Sequence, residues 1–430
     1  MIKATINMKT IWIFSLMLYI ICSTAFSYGS LRMLNSYALY FFLGVSAFCV
    51  FFKRRFKFNG MVLSLILYAI LMAVGTLYTP ASNSAVSETM YLYITMAVVA
   101  ICAIQCIDDQ QDIKHILTAF MWAGVALAIY VYAQYGNEFW ALLQENENAA
   151  NTNINRLGDE YVNANMIGMC AAISVMIATF KLIAEKNPLW KKALYATIIV
   201  FCFVMTMASA SKKGILMLAV IAFGIWLYGA IGNRNILHQL RNIVILCLAF
   251  VAVYSLIVNV PIFSGIALRI KGLFSTLDGT STNASDLTRM YMVEKGIEVW
   301  WDYPIFGAGT VASDYYFGVY AHNNYVELLM NSGLVGLIVF YIPQFAAFTK
   351  YFIDHRGYKR KSKLPALLFA LLLAILVCSV GMVYYYERYF MVLIAVIVSA
   401  TTILKRTGTQ QSLQIEEGAY ESDKKSNAAI

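Results

Sequence analysis

The chain has 430 residues, 60% of them apolar and only 13% charged, and 32 basic residues against 23 acidic ones give a net charge of +9. Soluble domains run at about 45–50% apolar and about 25% charged, so a soluble fold of this length would hold more apolar side chain than its core could hide. That excludes a soluble enzyme, a nucleic-acid-binding module and a disordered chain, and leaves an all-α polytopic membrane protein. The basic residues sit in short clusters between apolar runs, the pattern of cytoplasmic loops rather than of a nucleic-acid surface.

A membrane-spanning helix takes about 20 apolar residues. Twelve such runs are legible, near 10–28, 36–52, 60–79, 90–107, 115–135, 162–184, 193–210, 214–230, 243–260, 325–348, 365–385 and 388–404. The first has some outline of a signal peptide, with Ala25 and Ser27 behind it. It is long for such an apolar core and ends in no clean small-x-small site, so it is taken as a span. With the N-terminus in the cytoplasm, the inner segments hold 23 of the 32 basic residues, including the Lys53-Arg54-Arg55-Phe56-Lys57 cluster. Both termini are therefore expected inside. The outer nine are Arg32, Arg156, Lys212, Lys213, Arg269, Lys271, Arg289, Lys295 and Arg388.

Between the ninth and tenth runs lies one long outer loop, about 261–324. Asp286 there can cap a helix running through Arg289, Met292, Ile297 and Trp301, ended by Pro304, Gly307 and Gly309. A second outer loop, 136–161, is polar and Asn-rich. Residues 1–404 read as the transmembrane body and 405–430 as a disordered cytoplasmic tail. All eight cysteines fall inside apolar runs, as small packing residues rather than a disulfide or zinc framework. The centres of the runs carry no Asp, Glu, Lys, Arg or His. Ion-coupled carriers place such groups there, which counts against a lipid-linked oligosaccharide flippase, the alternative of another class, and moves the chemistry to the outer face.

Of the four histidines only His322 faces outward, in Ala321-His322-Asn323-Asn324-Tyr325-Val326-Glu327. A neutral imidazole there can accept a proton near neutral pH; the ordinary alternative is a solvated loop histidine. Lys212 and Lys213 lie in a tight turn, Ser209-Ala210-Ser211-Lys212-Lys213-Gly214. Two cations there suit a diphosphate headgroup, or simply snorkel to lipid headgroups. The Arg289 guanidinium fork suits phosphate or carboxylate, or pairs locally with Asp286. Arg156 stands in Arg156-Leu157-Gly158, ahead of Asn163-Ala164-Asn165, with Asp159 and Glu160 as ordinary neighbours. The aromatic residues of the long loop, Trp300, Trp301, Tyr303, Tyr315, Tyr316, Phe317, Tyr320 and Tyr325, fit sugar faces or an interfacial belt equally well. No His/Cys/Asp spacing points to a metal.

Taken in order, these residues resemble the O-antigen ligase and polymerase superfamily, from Arg156 to about Leu337. The motifs that carry the resemblance are Pro304-Ile305-Phe306-Gly307-Ala308-Gly309, His322-Asn323-Asn324-Tyr325 and Gly333-Leu334-Val335-Gly336, with Arg289 ahead of the proline. They are similar to the family's P-x-x-G-x-G, H-N-x and G-x-x-G series. Arg156-Leu157-Gly158…Asn163-Ala164-Asn165 is similar to its R-x-x-G…P-N stretch without the proline, and Ser211-Lys212-Lys213-Gly214 to its S-R-(G or K)-G turn, with Lys212 where an arginine is usual. The resemblance implies a glycosyltransferase on the outer face of the bacterial cytoplasmic membrane. Its donor would be an undecaprenyl-diphosphate-linked oligosaccharide and its acceptor a hydroxyl on a second glycan, with no nucleotide, metal or cofactor. Arg289, Lys212, Lys213 and Arg156 would hold the departing diphosphate. His322 would serve as general base or orienting group, with Asn323, Asn324 and Glu327 in the substrate-binding set and Glu327 orienting the imidazole. A single displacement implies inversion at the anomeric carbon. A repeat-unit polymerase is the preferred member, with a chain-length regulator and a flippase as expected partners. A ligase acting on lipid A core is the alternative.

Overall fold

The computed structural model describes residues 7–27, 31–53, 56–140, 157, 162–231, 236–260, 267, 270, 284–353 and 363–405. Among them there are helices and no strands. In chain order the helices are α1 (Met8–Ala25), α2 (Arg32–Lys53), α3 (Gly60–Gly75), α4 (Asn83–Cys106), α5 (Gln110–Tyr135), α6 (Ala164–Ala184), α7 (Leu189–Ala208), α8 (Lys212–Ile231), α9 (Ile236–Asn259), α10 (Ala284–Asp302), α11 (Ala312–Phe317), α12 (Asn324–Ile353), α13 (Leu364–Cys378) and α14 (Arg388–Lys405). Each of the twelve apolar runs overlaps a helix. Ten of these helices are long and apolar enough to cross a membrane, while α3 and α13 have 16 and 15 residues. Arg156, the tail beyond Lys405 and most of the loops at 136–161 and 261–283 lie outside the described residues.

Polar residues mark the helix starts. Asn59 Oδ1 accepts from the Met61 and Val62 amides at 3.1 and 3.0 Å, and Asp109 with Asp112 forms a capping box on α5. The helices then meet through small residues, as expected where lipid removes the hydrophobic drive between helices. A Cβ on Gly124 of α5 would lie 2.5 Å from the Cys170 carbonyl oxygen of α6. Ser174 Oγ donates to the Met121 carbonyl at 2.8 Å. These two contacts run in opposite directions along the helices, so α5 and α6 are antiparallel. Gly224 of α8 meets Ala370 of α13 in the same close manner.

Helix α13 is buried nearly all round, from Leu367 to Leu372 without interruption. Helix α9 is its opposite: Leu237, Leu240, Val244, Ile245, Leu248 and Val251 are all more than half exposed. A contiguous apolar face of that kind suits lipid, not water. Leu371→Ala is therefore expected to destabilise the protein by about 2–5 kcal/mol, read as a lower melting temperature in detergent. Leu248→Ala should leave that temperature almost unchanged, and equal effects would contradict this division of buried and lipid-facing helices.

One end of the bundle is tied by ion pairs. Lys9 reaches Asp109 and Asp112 at 3.0 and 2.8 Å, and Lys53 and Lys57 both reach Asp108 at 2.7 Å. These join α1, α2 and the α4–α5 connection. The partly exposed pairs at Asp108 and Asp109 contribute at most about 1 kcal/mol each, Asp112 is buried, and together the pairs fix the ends of the helices. The start of α6, antiparallel to α5, lies at the other end, with the starts of α8, α12 and α14 around one cavity described below.

Two sequence expectations change. Helix α10 begins at Ala284, so Asp286 falls inside its first turn rather than at its cap. The run 365–385 does not stay helical: α13 stops at Cys378, and residues 379–387 form a loop. Buried backbone needs hydrogen-bond partners, and Asn324 supplies them. Its Oδ1 accepts from the Tyr384 and Tyr385 amides at 2.9 and 3.2 Å, and its own amide donates to the Ser379 carbonyl at 2.9 Å.

Candidate active site

Helix α12 is broken at Gly333, where φ is 62° and ψ is −164°. The turn at 304–309 docks into that break. The Leu334 and Val335 amides, which begin the second half of α12, donate to the Pro304 and Ile305 carbonyls at 2.9 and 3.1 Å. The Met330 carbonyl, near the end of the first half, accepts from the Ala308 amide at 2.7 Å. The turn thus completes groups that a broken helix leaves unpaired. Glycine is required on both sides. Gly307 has φ +73°, and a Cβ on it would lie 2.5 Å from the Ser332 amide nitrogen. The next residues lock to α3, where Thr310 Oγ1 donates to the Met72 carbonyl at 2.5 Å and Thr79 Oγ1 to the Thr310 carbonyl at 2.7 Å. The proline-glycine and double-glycine motifs are two halves of one joint.

Behind that joint lies a buried network on Glu327. Its carboxylate accepts from Ser313 Oγ at 2.6 Å, from Asn331 Nδ2 at 2.9 Å and from the Ala321 amide at 2.6 Å. Glu327 therefore binds the backbone one residue before His322, not the imidazole that the sequence suggested it would orient. Asn323 Oδ1 caps α12 through the Tyr325 and Val326 amides at 3.0 and 3.3 Å. Held from both sides, His322 takes a left-handed backbone conformation, φ +57°, uncommon outside glycine. Its ring lies 4.4 Å from that of Tyr320.

On the facing side, Ala210 turns with φ +47° between α7 and α8. Ser211 Oγ accepts from the Gly214 amide at 3.2 Å and donates to Asn165 Oδ1 at 3.0 Å. A Cβ on Gly214 would lie 2.8 Å from the Gly168 backbone, so only small residues let the start of α8 seat against α6. Both lysines then fall in the first turn of α8, adding charge to the positive end of its dipole.

These elements enclose a cavity of about 250 Å³. Lys213, Arg289 and His322 line it together with Asn163, Asn165 and Tyr320. The loop at 379–387 closes the remaining side with Tyr386 and Glu387. Burial, then the Arg289 charge, then the Lys213 charge push the His322 pKa down to about 4, so its imidazole is neutral at physiological pH. Burial raises the Glu387 pKa above the usual carboxylate range, against a smaller pull from Arg388.

The structure thus brings three sequence-derived residues, Lys213, Arg289 and His322, to one cavity. Lys212, Asn323, Asn324 and Glu327 do not line it; the last three hold its walls. Lys213→Ala is accordingly expected to reduce activity at least tenfold more than Lys212→Ala in membranes with equal protein. Equal losses would separate the site from this cavity. Sequence reasoning missed Tyr386 and Glu387 because it left only two residues between the last two runs. A glycine at 381 followed by Tyr384-Tyr385-Tyr386-Glu387-Arg388 is the signal that the helix stops early.

Residues 197–341 match the family model described as O-antigen ligase. The matched stretch contains Lys213, Arg289, His322 and both halves of the loop-to-helix joint. No curated protein matches the chain. Over residues 197–341, about a third of its length, this multi-pass helical chain is thus similar to the O-antigen ligase family.

Proposed function

We propose that the protein is a glycosyltransferase that polymerises undecaprenyl-diphosphate-linked oligosaccharide repeat units into a surface polysaccharide, on the outer face of the bacterial cytoplasmic membrane. The observation that carries this reading is the meeting of Arg289, Lys213 and a neutral His322 in one cavity inside the family-matched stretch.

The chemistry follows from those groups. A polyprenyl diphosphate is a good leaving group once its growing charge is held. A guanidinium fork and an ammonium do this most effectively in a site already shaped for them. Arg289 and Lys213 take that role, with Arg156 and Lys212 as the further cations that the family resemblance brings. His322, held neutral by burial and by the two charges, presents a ring nitrogen that can accept a hydrogen bond from the acceptor hydroxyl and set its line of attack. One displacement inverts the anomeric carbon. Asn323, Asn324 and Glu327 act by fixing the loop that carries His322. The polyprenyl tail stays among the apolar helices, which gives the transferase its need for so many of them. The reaction takes neither nucleotide nor metal, and a flippase and a chain-length regulator are its expected partners.

The family description itself keeps a second reading in play, a ligase that passes finished glycan to lipid A core. Deleting the gene and sizing the lipid-linked and surface glycans side by side separates the two. Single repeat units without long polymer support the polymerase. Full-length polymer stranded on undecaprenyl diphosphate supports the ligase. Unchanged pools overturn both.

A further inference from the structure

We propose that Glu387 is a further catalytic residue of this cavity, the group that takes the proton from the acceptor hydroxyl. The proposal rests on the glycosyl-transfer reading above. Glu387 lines the same 250 Å³ cavity as Lys213, Arg289 and His322, and it is the one carboxylate among the described lining residues. It ends the loop at 379–387, and its own carbonyl accepts from the Met391 amide at 3.0 Å, so the start of α14 fixes its backbone.

The charges divide the cavity into two parts. Arg289 and Lys213 both act on His322, which therefore sits with the cations. Glu387 feels Arg388 instead, and the Arg388 charge also acts on Tyr19 of α1. No described residue donates a hydrogen bond to the Glu387 carboxylate, and its charge is felt by Tyr386 and by the buried Cys170 of α6. It is not there to neutralise the two cations. A carboxylate cannot share the diphosphate subsite, because like charges in a partly buried site repel strongly. It is left to face the acceptor.

The step balances as follows. The acceptor hydroxyl oxygen bonds to the anomeric carbon. The bond from that carbon to the diphosphate oxygen breaks, and its electron pair leaves on the diphosphate beside Arg289 and Lys213. The hydroxyl proton passes to a carboxylate oxygen of Glu387. His322 is poorly suited to keep that proton, since its protonated form is stable only near pH 4. A buried carboxylate with raised proton affinity suits the task better.

The test uses membranes from the deletion strain carrying each variant, with the polyprenyl-diphosphate-linked glycan that this strain accumulates as substrate. Glu387→Gln should lower kcat by about a hundred- to ten-thousand-fold, while the KM for the lipid-linked glycan stays within about twofold. Glu387→Asp should keep a measurable rate. Glu387→Ala should regain activity, about tenfold or more, when formate is added, because a small carboxylate replaces the missing base. If Glu387→Gln fails to accumulate in the membrane, the aspartate and formate results decide. A wild-type rate in Glu387→Gln, or an alanine variant deaf to formate, overturns the assignment. Arg289→Ala runs in parallel. If wild-type membranes extend the glycan, Arg289→Ala membranes do not and Glu387→Gln membranes do, only the Glu387 role falls. If wild type extends nothing, the glycosyl-transfer reading falls with it.

Discussion

Alanine at Arg289 is expected to lower glycan transfer about a hundred- to a thousand-fold, with the protein still present and inserted at wild-type level. Helix α10 presents this guanidinium to the cavity from a half-buried position, and its charge is one cause of the depressed His322 pKa. On the proposed mechanism, removing it takes from the leaving diphosphate the guanidinium fork that lines the cavity. Lys213 remains as a point charge, so some rate survives. Arg289→Lys should recover only part of the loss, since an ammonium cannot bond two oxygens in a plane. His322→Ala should abolish transfer in the same membranes. The wild-type rate should show no ordinary histidine titration between about pH 5.5 and 7.5, where an unperturbed imidazole would change charge. With a lowered pKa, His322 gains its proton only as pH falls toward about 4. A rate that survived His322→Ala would remove this residue from the mechanism.

Much of this arrangement is legible in the sequence, for physical reasons that differ from element to element. The spans show because a helix in lipid must be apolar over most of its length, and every run overlaps a helix, though the runs 60–79 and 365–385 outlast theirs. The cavity cations stand out because, on the topology read from the basic clusters, Lys213 and Arg289 fall against the positive-inside bias, and a cation so placed calls for a reason. Glu387 was hidden by the same logic. Met382 to Tyr386 is apolar and aromatic enough to prolong the preceding helix. What ends α13 instead is the Asn324 side chain, 60 residues earlier in the chain, which satisfies the Tyr384 amide. No local pattern contains that bond. The choice between Lys212 and Lys213 was equally closed to sequence, because adjacent residues on a helix point about 100° apart and the direction depends on how α8 seats against Gly168. The motif order, by contrast, was visible before its cause. The proline-glycine turn and the double-glycine stretch are complementary surfaces of one joint, which explains why they occur together.

That joint makes Gly333 the position where one small side chain should do most structural damage. At φ 62° and ψ −164° its backbone lies in a region open essentially to glycine alone. A Cβ there would meet the Ile305 carbonyl and lie 2.6 Å from the Gly307 amide nitrogen, both backbone atoms with no rotamer to move aside. Strain of about 1–3 kcal/mol adds to an overpacking cost of about 1–3 kcal/mol, and the docked turn must shift. If it does, the Leu334 and Val335 amides lose the Pro304 and Ile305 carbonyls, and unpaired backbone inside the break is costly. Gly333→Ala is therefore expected to lower the melting temperature sharply in detergent and to lose activity, with the Glu327 network and His322 displaced together. Gly318→Ala is the milder control. Its φ is also positive, +67°, but with ψ 6° it lies in the left-handed helical region that other residues enter at smaller cost, and a Cβ there meets nothing within 4 Å, so it carries a lesser backbone strain and no collision. Should Gly333→Ala melt no lower than Gly318→Ala, the turn does not splice the broken helix, and the position of His322 needs another support.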